Sequence, residues 1–476
     1  MTGWRRRQFL QAAAVTAAAG ALARPAEADL ALPIVIVGAG LAGLAAARRL
    51  VSARPVIVLE AQDRVGGRVR TLRGRFPDGL FGEAGAARIA PMHRATLAAV
   101  REAGLALTSF QPGDGEPLSV IDGRRLAPAA LASQAGGFLK LLPAERGKAV
   151  PALTALYTDP VLDSLAGDRE DPDSYTAWQR HDEVDWPRWL ERAGASADAI
   201  RLLSLGGDSQ GLSALYVLRQ MALHRNMRGY LTANDGLDRL PQAWAAVLGA
   251  RIRTGAVVDA IEADASGVTV HYRDATGRQS LAAGRVVLAV PLTQLRRIAI
   301  APALSKPKRE AMAQVPYAPA VRILAATRGR FWRQDGHNGF ARTDRPAEIW
   351  DMAHGQPGRA GLLTATIGGE LGRSLIGQEE AAASRLATAV LADAFPQISR
   401  EIKDLKIIRW AEQPFAMGAF AAFAPGQMTR LMPGIATPEG RLHFAGEHTS
   451  VYMGWMEGAI RSGERAAREI LKAGTA

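Results

Sequence analysis

The chain has 476 residues, 48% hydrophobic and 22% charged, ordinary globular values that predict large cores and about two or three domains. It contains 0 Cys, which excludes disulfides, thiolate zinc sites and cysteine-ligated iron–sulfur clusters. The net charge of +12 is spread out, densest at residues 5–7, with no basic stripe interleaved with aromatics. Nucleic-acid binding is therefore not expected, and the charge amounts to a mild field for anionic substrates. None of the 8 His pair at metal-ligand spacing, so no metal site is expected either.

Taken in chain order, Arg6-Arg7-Gln8-Phe9-Leu10 followed by the alanine-rich residues 11–23 resembles a twin-arginine export signal. Small-residue cleavage sites lie at 21–23 and 26–28, so residues 1–28 are read as the signal. The apolar run is too short and too alanine-rich for a comfortable membrane span. The export machinery becomes an expected partner, and the destination is the periplasm or the exterior.

Residues 33–60 read as an apolar strand, a glycine turn, a helix, a second apolar strand and an acid. That order suits an adenine dinucleotide. Gly38 allows the tight turn, Gly40 lets the backbone approach a pyrophosphate, and Gly43 lets the helix pack close to the sheet. Leu41 and Ala42 open the helix, whose free N–H groups and positive dipole end face the phosphates. Glu60 follows Gly38 by 22 residues, at the end of the second strand, where a carboxylate accepts from ribose hydroxyls.

Residues 95–230 are rich in Ala, Leu and Arg at helical spacing, as in 91–103 and 214–224. From Gly236 the texture turns to strands at 251–261, 268–273 and 285–290, joined by turn-prone residues 263–267 and 274–277. Further strands are predicted at 321–327 and 362–367, a helix at 378–395, and a closing strand at 441–445 with a helix at 457–473. A dinucleotide fold opened at one end of the chain and completed at the other implies an insertion between its halves. Two-domain flavin oxidases are built this way, whereas simple nicotinamide dehydrogenases usually keep the nucleotide fold contiguous.

Four further stretches resemble one family, the flavin-dependent amine oxidases, over nearly the whole chain after residue 28. Arg64-Val65-Gly66-Gly67-Arg68 is similar to the second glycine motif, which implies that Arg68 meets the flavin or its phosphates. Residues 255–261 resemble the segment whose valine backbone holds the adenine, here Val258. Phe444-Ala445-Gly446-Glu447-His448-Thr449 resembles the C-terminal flavin motif, with Glu447 on the ribityl or pyrophosphate side. Gly454-Trp455-Met456-Glu457-Gly458-Ala459 would run under the isoalloxazine ring, and Ala61, Gly85, Ala86 and Ala87 join the cofactor contacts.

Within that family the chain is more similar to the L-amino-acid oxidases. Residues 83–91 resemble the segment whose arginine, here Arg88, takes the substrate carboxylate as a bidentate pair; residues 343–346 and 416–419 share that branch's wording. Phe420 and Trp455 match the two residues that flank the substrate amine, and the bland alternative is that both are core residues. Arg322 falls at the position of the family's lysine, as an altered catalytic group or a second carboxylate ligand. The tyrosine that assists the carboxylate has no counterpart near 350–352. His224 is the nearest match to a helical-region base and is read as a structural histidine. Ala419 stands where a flavin-linking cysteine would be, so FAD is expected to be non-covalent.

The resemblance implies an α/β fold: a Rossmann-like FAD-binding domain from residues 29–100, 236–300 and 425–476, a mainly helical subdomain at 101–235, and an inserted mixed-sheet substrate domain at 301–424. The activity it implies is oxidative deamination of an L-amino acid. Hydride passes from Cα to flavin N5, giving 2-oxo acid, ammonia and, with oxygen as acceptor, hydrogen peroxide. Another electron acceptor, a homodimer, a monoamine or polyamine oxidase or dehydrogenase with a merely structural Arg88, and a flavin-binding protein without turnover stay open.

Overall fold

The computed structural model describes residues 32–111, 114–164, 178–207, 209–225 and 227–473. The twin-arginine stretch lies outside the described residues.

Five parallel strands form the nucleotide sheet, in the order Leu442–Phe444, Arg285–Leu288, Ile34–Val37, Val56–Leu59 and Ile252–Arg253. The strand Ile34–Val37 is buried on both faces, as its unbroken apolar run requires. Ile34 and Ile36 face a core shared with the helices Leu41–Leu50 and Met456–Ala473, while Val35 and Val37 face a second core on the opposite side. The two helices lie close enough that a Cβ on Gly463 would collide with the Ala42 carbonyl. Both chain ends thus build one layer.

A mixed seven-stranded sheet stands beside it, in the order Ile402–Arg409, Val321–Thr327, Gly361–Ile367, Ala347–Asp351, His337–Thr343, Glu116–Ile121 and Arg124–Leu126. One face packs under the helix Glu380–Ala394. The other presents Leu324, Trp350 and Leu362 toward Phe76, Ala84 and Ala87 from the nucleotide side. A smaller sheet holds Gly277–Ala283, Val268–Asp274, Val257–Ala263 and Ala299–Ala301.

Two expectations are corrected. The strand read at 251–261 is two strands in different sheets, because Gly255 turns the chain at φ +68°. Within 101–235, read as mainly helical, Glu116–Ile121 and Arg124–Leu126 complete the seven-stranded sheet, their pairing set by the remote strand His337–Thr343. The helices of that stretch carry local start signals that the sequence displays. Asp185, Ser196 and Ser213 each accept from a backbone N–H three residues on.

Candidate active site

Between the nucleotide sheet and the seven-stranded sheet runs a cavity of about 800 Å³. At one end the chain leaves Val37, turns at Gly38 (φ +103°) and enters the helix Leu41–Leu50. A Cβ on Gly38 would sit 2.9 Å from the Ala289 carbonyl oxygen, and one on Gly43 would collide with the Gly38 carbonyl. A Cβ on Gly40 would meet nothing within 4 Å and would point into open space. The helix has no acidic residue in its first turn and no side-chain cap, so its N–H groups remain for an anion.

Glu60 lines the same end and accepts from Ala39 N at 2.7 Å and Gln62 N at 2.9 Å. Burial raises its pKa, the backbone donors oppose that, and each oxygen keeps a lone pair for a further donor. Arg68 donates to Glu447 Oε1 at 2.7 Å and to the Ala419 carbonyl at 2.9 Å, joining the two glycine motifs. Glu447 also accepts from Gly454 N at 2.9 Å, which fixes the segment beginning there. An adenine dinucleotide fits this end: an uncapped helix start, a glycine with room beside it, and a carboxylate at the strand terminus.

Most of the sequence-predicted residues converge. Gly38, Gly40, Leu41, Ala42, Glu60, Ala61, Arg68, Gly85, Ala86, Ala87, Val258, Glu447, Gly454, Met456 and Ala459 line the cavity, as do Arg88, Arg322, Phe420 and Trp455. Three do not. Gly43 is a packing residue against the turn, and Gly458 lies against the Tyr452 carbonyl. Glu457 points the other way. It accepts from Ala95 N, Thr96 N and Thr96 Oγ1 at 3.1, 2.8 and 2.9 Å, capping the helix Arg94–Glu102.

Arg88 is surrounded by aromatic faces, with its guanidinium carbon 5.1 Å from Phe110, 5.2 Å from Tyr230 and 5.1 Å from Trp350. It pairs with Glu348, which also accepts from Arg342 at 3.2 Å. Burial alone would raise the Glu348 pKa, but the two arginines outweigh it and hold it at about 2, so this carboxylate stays charged. Arg322 donates Nη2 to the Gly85 carbonyl at 2.8 Å. Burial and then the like charge of Arg88 push its pKa down to about 9.

Trp455 stacks on Tyr230 at 5.8 Å and donates Nε1 to Gln220 at 3.0 Å. Phe420 lies against Gly454. His224 does not line the cavity; it sits behind Trp455 at 4.8 Å, bonded to His93 at 2.9 Å and to the Gln220 carbonyl at 2.8 Å. Burial lowers the pKa of both histidines, that of His93 to about 3, so the pair is neutral. This is a structural prop for Trp455.

The residues missed from sequence are Tyr230, Glu348 and Thr366. Tyr230 supplies a tyrosine beside Arg88 from the far end of the helical stretch, not from 350–352. Glu348 and Thr366 alternate with apolar neighbours on ordinary strands, and nothing local distinguishes them.

The family described as flavin containing amine oxidoreductase matches residues 41–471. The L-amino-acid oxidase of Demansia vestigiata is 30% identical over 92% of this chain and 87% of that protein. That of Siganus canaliculatus is 30% identical over 92% and 85%. Among solved structures, a triple mutant of putrescine oxidase superposes with a TM-score of 0.81 at 24% identity. Cyclohexylamine oxidase from Brevibacterium oxydans gives 0.79 at 24%, and both cover 93% of this chain and 99% of the other. The chain belongs to the flavin-containing amine oxidoreductases, whose cofactor is FAD.

Proposed function

We propose that the protein catalyses oxidative deamination of an L-amino acid to a 2-oxo acid and ammonia, with oxygen or another acceptor reoxidising the cofactor. The observation that carries this is Arg88: a guanidinium on the cavity wall, held by Glu348 through one arm and over the ring of Tyr230, which in turn stacks on Trp455. A planar fork that keeps its charge when buried is suited to an α-carboxylate. Phe420 and Trp455 then desolvate the amine and favour its neutral form, while the Gly454 carbonyl accepts one of its hydrogens. Bound FAD supplies the two-electron acceptor. Gly40, the start of the helix Leu41–Leu50, Glu60, Arg68 and Glu447 are the residues that would hold it, non-covalently since Ala419 cannot link it.

A second reading, oxidation of an amine without a carboxylate, is favoured by the charge of Arg88 being already met by Glu348. Anaerobic addition of substrates decides between them. For the first reading, L-amino acids bleach the flavin absorbance and Arg88→Ala weakens this about a hundredfold. Bleaching by cyclohexylamine or putrescine alone, unchanged by Arg88→Ala, supports the second. Export by the twin-arginine route belongs to the same proposal. Replacing Arg6 and Arg7 by lysine is expected to retain the yellow protein in the cytoplasm, and unchanged export would sink that part.

A further inference from the structure

The strand register lines up four polar residues. Arg342 pairs with Glu348, Glu348 with Thr366, and Thr366 with Arg322, so the four form one row across neighbouring strands about 4.8 Å apart. The row lies on the face turned toward the cavity, and Thr366 and Arg322 both line it.

The two halves of this row differ. At one end Glu348 is held by Arg342 and Arg88 together. At the other, Arg322 spends one donor on the Gly85 carbonyl, while its buried Nε and Nη1 and the Thr366 hydroxyl find no partner among the described residues. Buried donors are normally satisfied, and because these two residues line the cavity their free groups are placed to meet a ligand bound there. Charge gives the same answer. Burial and the like charge of Arg88 outweigh the two acids that act on Arg322, Glu83 and Glu348, so an anion beside Arg322 is favoured. The guanidinium carbons of Arg322 and Arg88 lie 4.6 and 5.1 Å from the same Trp350 ring, so the two cavity-lining guanidinium groups are neighbours.

We infer that the substrate is a dicarboxylic L-amino acid, its α-carboxylate on Arg88 and its second carboxylate on Arg322 and Thr366. The inference rests on the amino-acid reading above and names the class of side chain.

The first test is binding of unreactive acids to the FAD-loaded protein, followed by perturbation of the flavin spectrum. Glutarate is expected to bind at least about tenfold more tightly than pentanoate, which has the same number of carbons and one carboxylate. Arg322→Met and Thr366→Val should each shrink that ratio, with Arg322→Lys restoring part of it. The threonine variant keeps the question answerable if the buried arginine proves necessary for folding. In turnover, L-glutamate should bleach the flavin at lower concentration than L-glutamine, and Arg322→Met should reduce the preference about tenfold. Equal binding of glutarate and pentanoate, or equal use of L-glutamate and L-glutamine, overturns the second-carboxylate site and leaves the amino-acid reading standing. Bleaching by simple amines and by no amino acid overturns both.

Discussion

Arg68 and Glu447 stand 379 residues apart in the chain and pair at 2.7 Å on the cavity wall. The contact closes the nucleotide fold, because Glu447 also accepts from Gly454 N and Ala421 N and so ties both of those segments to Arg68. Glu447→Ala leaves Arg68 without its counter-charge and frees both segments. A loss of about 3 kcal/mol in unfolding free energy is expected, together with weakened FAD retention. Denaturant titration and the flavin content of the purified variant measure the two. A variant as stable and as yellow as the parent would show the pair to be incidental.

Two glycines of the first turn separate folding from cofactor binding. A methyl at Gly43 collides with the Gly38 carbonyl, backbone against backbone, so Gly43→Ala should fail to give folded protein. A methyl at Gly40 meets only the open cavity, and its backbone, at φ −71° and ψ 175°, suits alanine. Gly40→Ala should therefore fold with a parental circular-dichroism spectrum and lose FAD affinity by tenfold or more, as about 1.4 kcal/mol of lost contact implies. Yellow, fully loaded Gly40→Ala would contradict the assignment of this turn to the dinucleotide.

Glu457 tests the corrected reading of the C-terminal segment. Its carboxylate caps the helix Arg94–Glu102 with three hydrogen bonds. Glu457→Ala orphans buried donors and should cost about 2 kcal/mol of stability. The absorbance maxima of bound flavin should stay where they are, and a shift in them would return Glu457 to the cofactor site.

Glu83 makes stability depend on pH. Burial, opposed by Leu237 N and the Thr71 hydroxyl, pushes its pKa up from 4.5 to about 7. The folded state therefore binds the proton more tightly than the unfolded one. This contribution is full below about pH 4.5 and is lost as the pH rises through 7. Over that window roughly 3 kcal/mol is at stake. Glu83→Gln cannot ionise, so the fall in its unfolding free energy between pH 5 and pH 8 should be smaller than the parent's. Parallel curves would show that Glu83 is ionised throughout.

The nucleotide end was legible in the sequence because its chemistry is local. Three glycines, a helix, a strand and an acid lie within the 22 residues from first glycine to acid, and such spacing dictates where each group points. Arg88, Phe420 and Trp455 were reached through resemblance, and the structure brings all three to the cavity wall. Glu457 sits one position past Met456, which does line the cavity, yet a helix turns each side chain about 100° from the last. Adjacency along a motif therefore does not fix the face.

The substrate end was decided only in three dimensions. Glu348 meets Arg88 and Arg342, Thr366 stands between Glu348 and Arg322, and Tyr230 arrives from another part of the chain to cover Arg88. These relations depend on strand register, where a slip of one residue would turn every side chain to the opposite face. Register is set by packing against remote cores, so the sequence determined that a dinucleotide is held, and the tertiary structure decided which charges surround what it reacts with.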